Sequence, residues 1–143
     1  MTKNTDILKF QAQELFNRIF DPDNNTIAVA NEGVGKTLLS AGGLASSLGN
    51  NTLIGAGTNK LKVYAFSLSI ISTTAVTCIF QSGASGTELW RVRLQTPTDV
   101  AGGANLAIKP PAWLFATASA TLLNLNLSAA VSVHWSVSYF DEA

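Results

Sequence analysis

Apolar and polar residues alternate along the C-terminal stretch 121–140. Within 123–127 leucine alternates with asparagine, and within 131–139 valine, tryptophan and tyrosine alternate with serine and histidine. Successive side chains of a β-strand point to opposite faces, so each run predicts a strand with one buried and one polar face. The alternation favours antiparallel pairing, because the strands of a parallel sheet are covered on both faces. We predict a β-hairpin with residues 128–130 as its turn.

Similar strand-like runs recur from Lys60 onward. The number of runs, about seven or eight, and their regular spacing are typical of a β-sandwich. The sequence therefore predicts a mainly β chain in which residues 60–143 form an antiparallel, jelly-roll-like β-sandwich. Turn-forming residues separate the runs, at 82–86, 97–99, 102–103 and 110–111.

Residues 6–20 have the period of a helix. Apolar residues recur there at three- and four-residue spacings, Thr5 or Asp6 is placed to cap the start, and Asp21-Pro22 marks the end. We predict an N-terminal α-helical arm over residues 1–26. The helix either packs on its own sandwich or docks on a neighbouring protein, and in the second case its apolar stripe is the contact. The predicted partner-binding residues are Leu8, Leu15, Phe16, Ile19 and Phe20.

Glycine is concentrated in the segment 27–59. Seven glycines lie between positions 33 and 57, among serine, asparagine and threonine residues. A stretch of this composition rarely folds by itself. After TIAVA, which has the pattern of a short strand, we expect an extended glycine-rich arm or linker that is ordered by the surface on which it lies.

Charged side chains are scarce along the whole chain. They make up 13% of the residues, apolar types make up 47%, and the formal net charge is +0. Interface cores are depleted of charge, so this composition favours a surface that a protein partner covers. The alternative is an ordinary β-protein with strands coated by serine and threonine.

A neutral chain does not attract nucleic acid or an anionic membrane, and we expect neither as a partner. The N-terminus MTKNTDILKF lacks an apolar centre, and no run reaches about 18 apolar residues. We therefore expect neither a secretion signal nor a membrane span.

Residues 30–37, ANEGVGKT, fit the loose form of a phosphate-binding loop. In such a loop Lys36 contacts the phosphates and Thr37 binds Mg²⁺. The loop must open a helix, whereas this chain reaches Gly42 and Gly43 after barely one turn. The parallel strands of that fold are also absent from the predicted topology. We expect no nucleotide site and no cofactor.

No other residues have the pattern of a catalytic or metal site. His134 is the sole histidine and lies among serines, which excludes a site built from several histidines of one chain. Cys78 is the sole cysteine, and its phase places it in the core. Trp90, Trp113 and Trp135 are candidates for a sugar groove, but Trp90 and Trp135 share the phase of aliphatic core residues. We expect a protein without enzymatic activity.

Four segments carry a resemblance to a known class of proteins: KLKVYAFSLS, TCIFQSGASG, PPAWLFAT and LNLNLSAAVSVHWSVSY. From about Lys60 to the end, the chain resembles small β-sandwich virion proteins of tailed bacteriophages, the capsid decoration, cement and head-fibre type proteins. Residues 1–59 carry no such resemblance.

The resemblance implies a structural protein that binds the lattice of the major capsid protein and stabilises the shell. It further implies a homotrimer on the capsid surface of the virion, assembled in the host cytoplasm. The alternative is a receptor- or glycan-binding module of a phage fibre or tail, which would present an exposed aromatic groove or variable loops at one end of the sandwich.

Overall fold

The computed structural model describes residues 20–21, 26–27, 37–98 and 100–142. The chain divides into two compact units, residues 1–32 and residues 33–143. In the first unit the described residues form two short antiparallel strands, β1 (Phe20–Asp21) and β2 (Thr26–Ile27). The described part of the second unit is all β, without a helix. Its strands are β3 (Leu39–Ala45), β4 (Gly49–Ile54), β5 (Lys60–Ile70), β6 (Val76–Ser82), β7 (Thr87–Leu94), β8 (Gly102–Ala107), β9 (Phe115–Ala116), β10 (Leu123–Leu127) and β11 (Val133–Glu142).

These strands form a two-sheet antiparallel sandwich. One sheet has the order β4-β10-β6-β7, and the other has the order β3-β11-β5-β8, with the short β9 also paired to β5. The chain crosses between the sheets after β3, β4, β5, β7, β9 and β10, and β6 and β7 form a hairpin within one sheet. This is the strand order of a jelly roll. The predicted fold class is confirmed.

The predicted C-terminal hairpin is wrong, although both of its strands exist. β10 pairs with β4 and β6, whereas β11 pairs with β3 and β5 in the opposite sheet. Residues 128–132 therefore cross from one sheet to the other. Alternation specifies that a strand buries one face, and the two sheets of a sandwich bury equivalent faces against each other. The alternation thus predicted each strand correctly but gave no information about the strand with which it pairs.

A β-bulge interrupts the pairing of β5 with β11. Ser138 of β11 is opposite Ala65, and Tyr139 is opposite Val63, so Tyr64 has no partner of its own. The extra residue shifts the phase of the strand. As a result Leu61 and Val63 on one side of the bulge and Phe66, Leu68 and Ile70 on the other side all point into the core.

The glycine-rich segment is part of the sandwich. Residues 27–59 were predicted to be an arm or linker that precedes a β-unit starting at Lys60, but β3 and β4 lie within this segment and form one edge of each sheet. Gly43 allows the close packing of Trp135, since a Cβ atom at Gly43 would lie 3.3 Å from the indole ring. Pairing with β11 and β10 holds β3 and β4 in their extended conformation, as expected of a segment that does not fold alone.

Most of the predicted N-terminal helix, 6–20, lies outside the described residues. The same holds for Leu8, Leu15, Phe16 and Ile19. Phe20 is described, and it belongs to strand β1. Of the short strand predicted at 26–30, the described residues Thr26–Ile27 form β2.

The core lies between the inner faces of the two sheets. Val76, Cys78 and Phe80 are 0% exposed, which confirms the predicted inner face of β6. The ring centroid of Phe80 lies 5.1 Å from those of Phe66 and Phe115, so the three rings form an aromatic layer.

Trp90 and Trp135 point inward as predicted but are only partly buried. Trp90 lies on the edge strand β7 and is 37% exposed. Trp135 packs against the core at its margin, where the neighbouring edge strand offers only Gly43 to cover it.

Candidate functional site

Four loops meet at one end of the sandwich, and we call them the tip loops. The register shows that they share this end. Ala45 at the end of β3 is opposite Val133 at the start of β11, and Ile70 at the end of β5 is opposite Gly102 at the start of β8. The tip loops are residues 46–48, 71–75, 95–101 and 128–132.

Hydrogen bonds fix the tip loops to one another and to the sheet. The Thr96 hydroxyl accepts the N–H of Ser72 at 2.9 Å and donates to the Ser72 carbonyl at 2.9 Å. The Ser128 hydroxyl accepts the N–H of Thr77 at 2.8 Å, and the Ser128 N–H donates to the Thr77 carbonyl at 3.0 Å. The loops are therefore a preformed surface, which lowers the ordering cost of binding a partner.

The tip exposes three large aliphatic side chains among serine and threonine residues, and its described residues carry no charge. Leu48, Ile71 and Val100 are 67%, 72% and 52% exposed. No described tip residue carries a charge or an aromatic ring, and Asp99, the one charged tip residue in the sequence, lies outside the described residues. Three exposed large aliphatic side chains at one end of the sandwich make the tip a candidate protein-binding surface.

The outer face of the five-stranded sheet is a second candidate surface, which we call the serine face. It consists of alternate positions on four neighbouring strands, and His134 is its only titratable residue. A shallow hollow of about 270 Å³ lies on it over β11, β5 and β8. The serine face comprises Ser40, Gly42, Leu44, Ala65, Ser67, Ser69, Gly103, Asn105, Ala107, His134, Ser136 and Ser138.

Beyond the serine face the same sheet carries a buried ion pair. The Nζ atom of Lys62 lies 3.5 Å from Oε1 of Glu142, and the two side chains are 5% and 2% exposed. The indole ring of Trp113 lies over Lys62, with 4.3 Å between Nζ and the ring centroid. Asp141 and Glu142 are the last two residues of β11. Asp141 accepts the N–H groups of Thr58 and Asn59 at 3.0 and 2.8 Å and holds the loop after β4.

The outer face of the four-stranded sheet carries side-chain amides and charges. The Nδ2 atom of Asn124 donates to Asn50 at 2.9 Å and to Gln81 at 3.0 Å. On the neighbouring edge strand, Arg91 donates from Nε to Glu88 at 3.0 Å. This hydrogen bond, supported by the positive charge of Arg91, lowers the pKa of Glu88. The pair is exposed to solvent and contributes little to stability.

The residues considered for chemistry remain apart. His134 is exposed on the serine face, whereas Cys78 is fully buried and burial raises the pKa of its thiol to about 11. Within the described ranges no three His, Cys, Asp or Glu residues are grouped so that they could hold a metal ion. Of the phosphate-loop motif only Thr37 is described, and the residues after it form strand β3 in place of a helix.

The tryptophans do not make an obvious sugar platform. Trp90 is 37% exposed, but its ring packs against Phe66 and Phe115 at centroid distances of 6.2 and 6.4 Å. Trp113 is 41% exposed and covers Lys62. Each ring already has an intramolecular contact, and neither lies in a tip loop.

The sequence matches no protein-family model and no curated protein sequence. The search for membrane-spanning helices among the described residues also found no candidate. Sequence patterns did not reveal either surface, because the tip is assembled by topology from four distant loops. The regularly spaced serines of β5 and β11 can be seen in the sequence. That they lie side by side on one sheet face depends on strand pairing, which the sequence pattern does not give.

Proposed function

We propose that this protein is a non-enzymatic structural component of a virion, a capsid decoration or cement protein of a tailed bacteriophage. It acts on the capsid surface, where it binds the lattice of the major capsid protein. The observation that supports this role best is the tip of the sandwich, which presents Leu48, Ile71 and Val100 on hydrogen-bonded loops without a charged residue among those described.

The proposed binding is driven by the burial of apolar side chains against the capsid. A fully buried aliphatic side chain contributes about 1.5–3 kcal/mol, so three residues at one tip give a useful but modest contact. A homo-oligomer, for which the resemblance suggests a trimer, binds more tightly than one copy. Once the first tip is bound, the second and third tips bind in effectively intramolecular steps. Binding to the assembled shell and not to free subunits stabilises the shell by mass action.

The experiment measures occupancy of undecorated capsids by the full-length protein. Ile71→Asp and Leu48→Asp each place a charge on the tip, and we expect each to lower capsid occupancy by at least tenfold without unfolding the protein. Ile108→Asp is the matched control, since Ile108 is also an exposed aliphatic residue, 41% accessible, but lies outside the tip.

The predicted partner-binding residues of the N-terminal segment are tested in the same assay. Phe16→Glu combined with Ile19→Glu lowers occupancy if that segment also contacts the shell. If wild-type protein does not bind capsids, the proposed function is wrong; if it binds and all of these variants bind equally well, neither the tip nor the N-terminal segment is the contact. A stoichiometry of a few copies per particle would point to the fibre or tail module instead.

A further inference from the structure

We infer that two copies of this chain pack through their serine faces around a two-fold axis. The inference concerns self-association of the free protein in solution, and it is separate from the trimer proposed for the capsid surface. Three features of the serine face support it: its charge, its shape and its size.

The charge of the face fits a second copy. In a two-fold interface each residue lies close to its own counterpart, so a charged residue near the axis meets a like charge. The serine face has twelve positions and none is Lys, Arg, Asp or Glu. By contrast, the outer face of the opposite sheet carries Glu88, Arg91 and Arg93 on strand β7. The neutral face is thus the one that tolerates its own copy.

The shape of the face is complementary to itself. Leu44 and His134 are cross-strand neighbours towards the tip, both are exposed, and their side chains are larger than those of the serine and glycine residues around them; we call this pair the raised area. The hollow of about 270 Å³ lies further along the same strands. A two-fold axis between the two places the raised area of each copy into the hollow of the other. The outward-facing residues that line the hollow are Ala65, Ser67, Asn105, Ala107, Ser136 and Ser138.

The size of the face determines the strength of the contact. On each copy, four strands about 4.8 Å apart and roughly six residues long at about 3.3 Å per residue cover an area of roughly 400 Å², so two copies bury roughly twice that area in total. Interfaces that bury less than about 1,200 Å² in total are weak. We therefore expect a reversible dimer with a dissociation constant in the micromolar range or above.

The first test is sedimentation equilibrium of the full-length protein over a wide range of concentrations. Wild-type protein should show a monomer–dimer equilibrium, and Ser67→Lys should weaken it by at least tenfold, because it brings two ammonium groups into a neutral contact. Thr52→Lys is the matched control: Thr52 is also exposed on an outer sheet face, but on strand β4 of the opposite sheet. The control should dimerise like the wild type, and circular dichroism verifies that both variants are folded.

The second test locates the axis and is independent of the lysine variant. Ser136 lines the hollow and is the next outward-facing residue of β11 after His134, so Ser136→Cys should give a covalent dimer with a short bismaleimide, whereas Thr52→Cys should not. Cys78 does not interfere because it is buried. A strictly monomeric protein, an oligomer that Ser67→Lys leaves intact, or equal cross-linking of both cysteine variants would each overturn the inference.

Discussion

Thr96 and Ser72 are joined by three hydrogen bonds across the tip of the sandwich. The Thr96 hydroxyl binds both the N–H and the carbonyl of Ser72 at 2.9 Å, and the Thr96 N–H donates to the same carbonyl at 2.9 Å. The threonine is 5% exposed, so this contact is largely shielded from water. It ties the loop after β5 to the loop after β7 and thereby positions Ile71, the most exposed aliphatic residue of the tip.

Thr96→Val should destabilise the protein by about 1–3 kcal/mol, because it removes the hydroxyl and leaves the Ser72 N–H without its acceptor. The substitution keeps the β-branched shape that packs beside Gly102. Urea-induced unfolding measures the free energy. Thr98→Val, in the same loop but exposed, should leave it nearly unchanged, and equal effects of the two variants would show that the contact does not organise the tip.

Asn124→Asp should make the stability depend on pH. Asn124 is 0% exposed and its Nδ2 atom donates to the side-chain oxygens of Asn50 and Gln81. A carboxylate there would face two oxygens in a buried position, so its pKa in the folded state is raised above the unfolded value. The protonated form then fits the fold, and stability is lost as the pH rises through the folded-state pKa.

We expect the unfolding free energy of Asn124→Asp to fall by at least about 3 kcal/mol at neutral pH and by less at about pH 4. Asn105→Asp is the control, since Asn105 is exposed on the outer face of the opposite sheet. Equal losses at both pH values would contradict the proposed hydrogen-bond directions.

Local alternation predicted the strands of this fold well but could not predict their partners. Leu123, Leu125 and Leu127 are buried as the pattern required, yet β10 and β11 lie in opposite sheets. Pairing depends on contacts between distant residues, such as Leu125 with Asn51, about which the spacing within one strand carries no information.

Two further features of the structure could not be predicted from the sequence, for physical reasons. Strands β3 and β4 contribute only Ala45, Leu53 and Ile54 to the buried core and otherwise depend on pairing with β11 and β10, so their glycine-rich sequence gave no clear strand signal. The tip depends on Leu48, Ile71 and Val100, which are far apart in the chain and which only the crossing connections of the jelly roll bring to one end.

Cys78 should be inert to thiol reagents in the folded protein. It is 0% exposed, and burial raises the pKa of its thiol from 9.0 to about 11. The unfolded chain therefore ionises first, so the thiol's contribution to stability is intact below about pH 9 and declines as the pH rises towards 11. Labelling at mild alkaline pH should be slow without denaturant and fast with it. Cys78→Ala should abolish this part of the pH dependence, and rapid labelling of the native protein would contradict the burial.

Lys62 and Glu142 should be strongly coupled in stability. Both side chains are buried at 3.5 Å separation, and the loss of one partner leaves a desolvated charge. We expect Glu142→Gln or Lys62→Met alone to cost about 3–5 kcal/mol, whereas the double variant should recover much of that loss, because a buried ion pair can often be replaced by uncharged residues at little cost. Glu88→Gln, which breaks the exposed pair with Arg91, is the control and should change stability little. The measurement is a double-mutant cycle of unfolding free energies in urea. If the two single effects simply add in the double variant, the ion pair does not hold the end of β11 to β5, and packing of Trp113, Tyr64 and Phe140 must hold it instead.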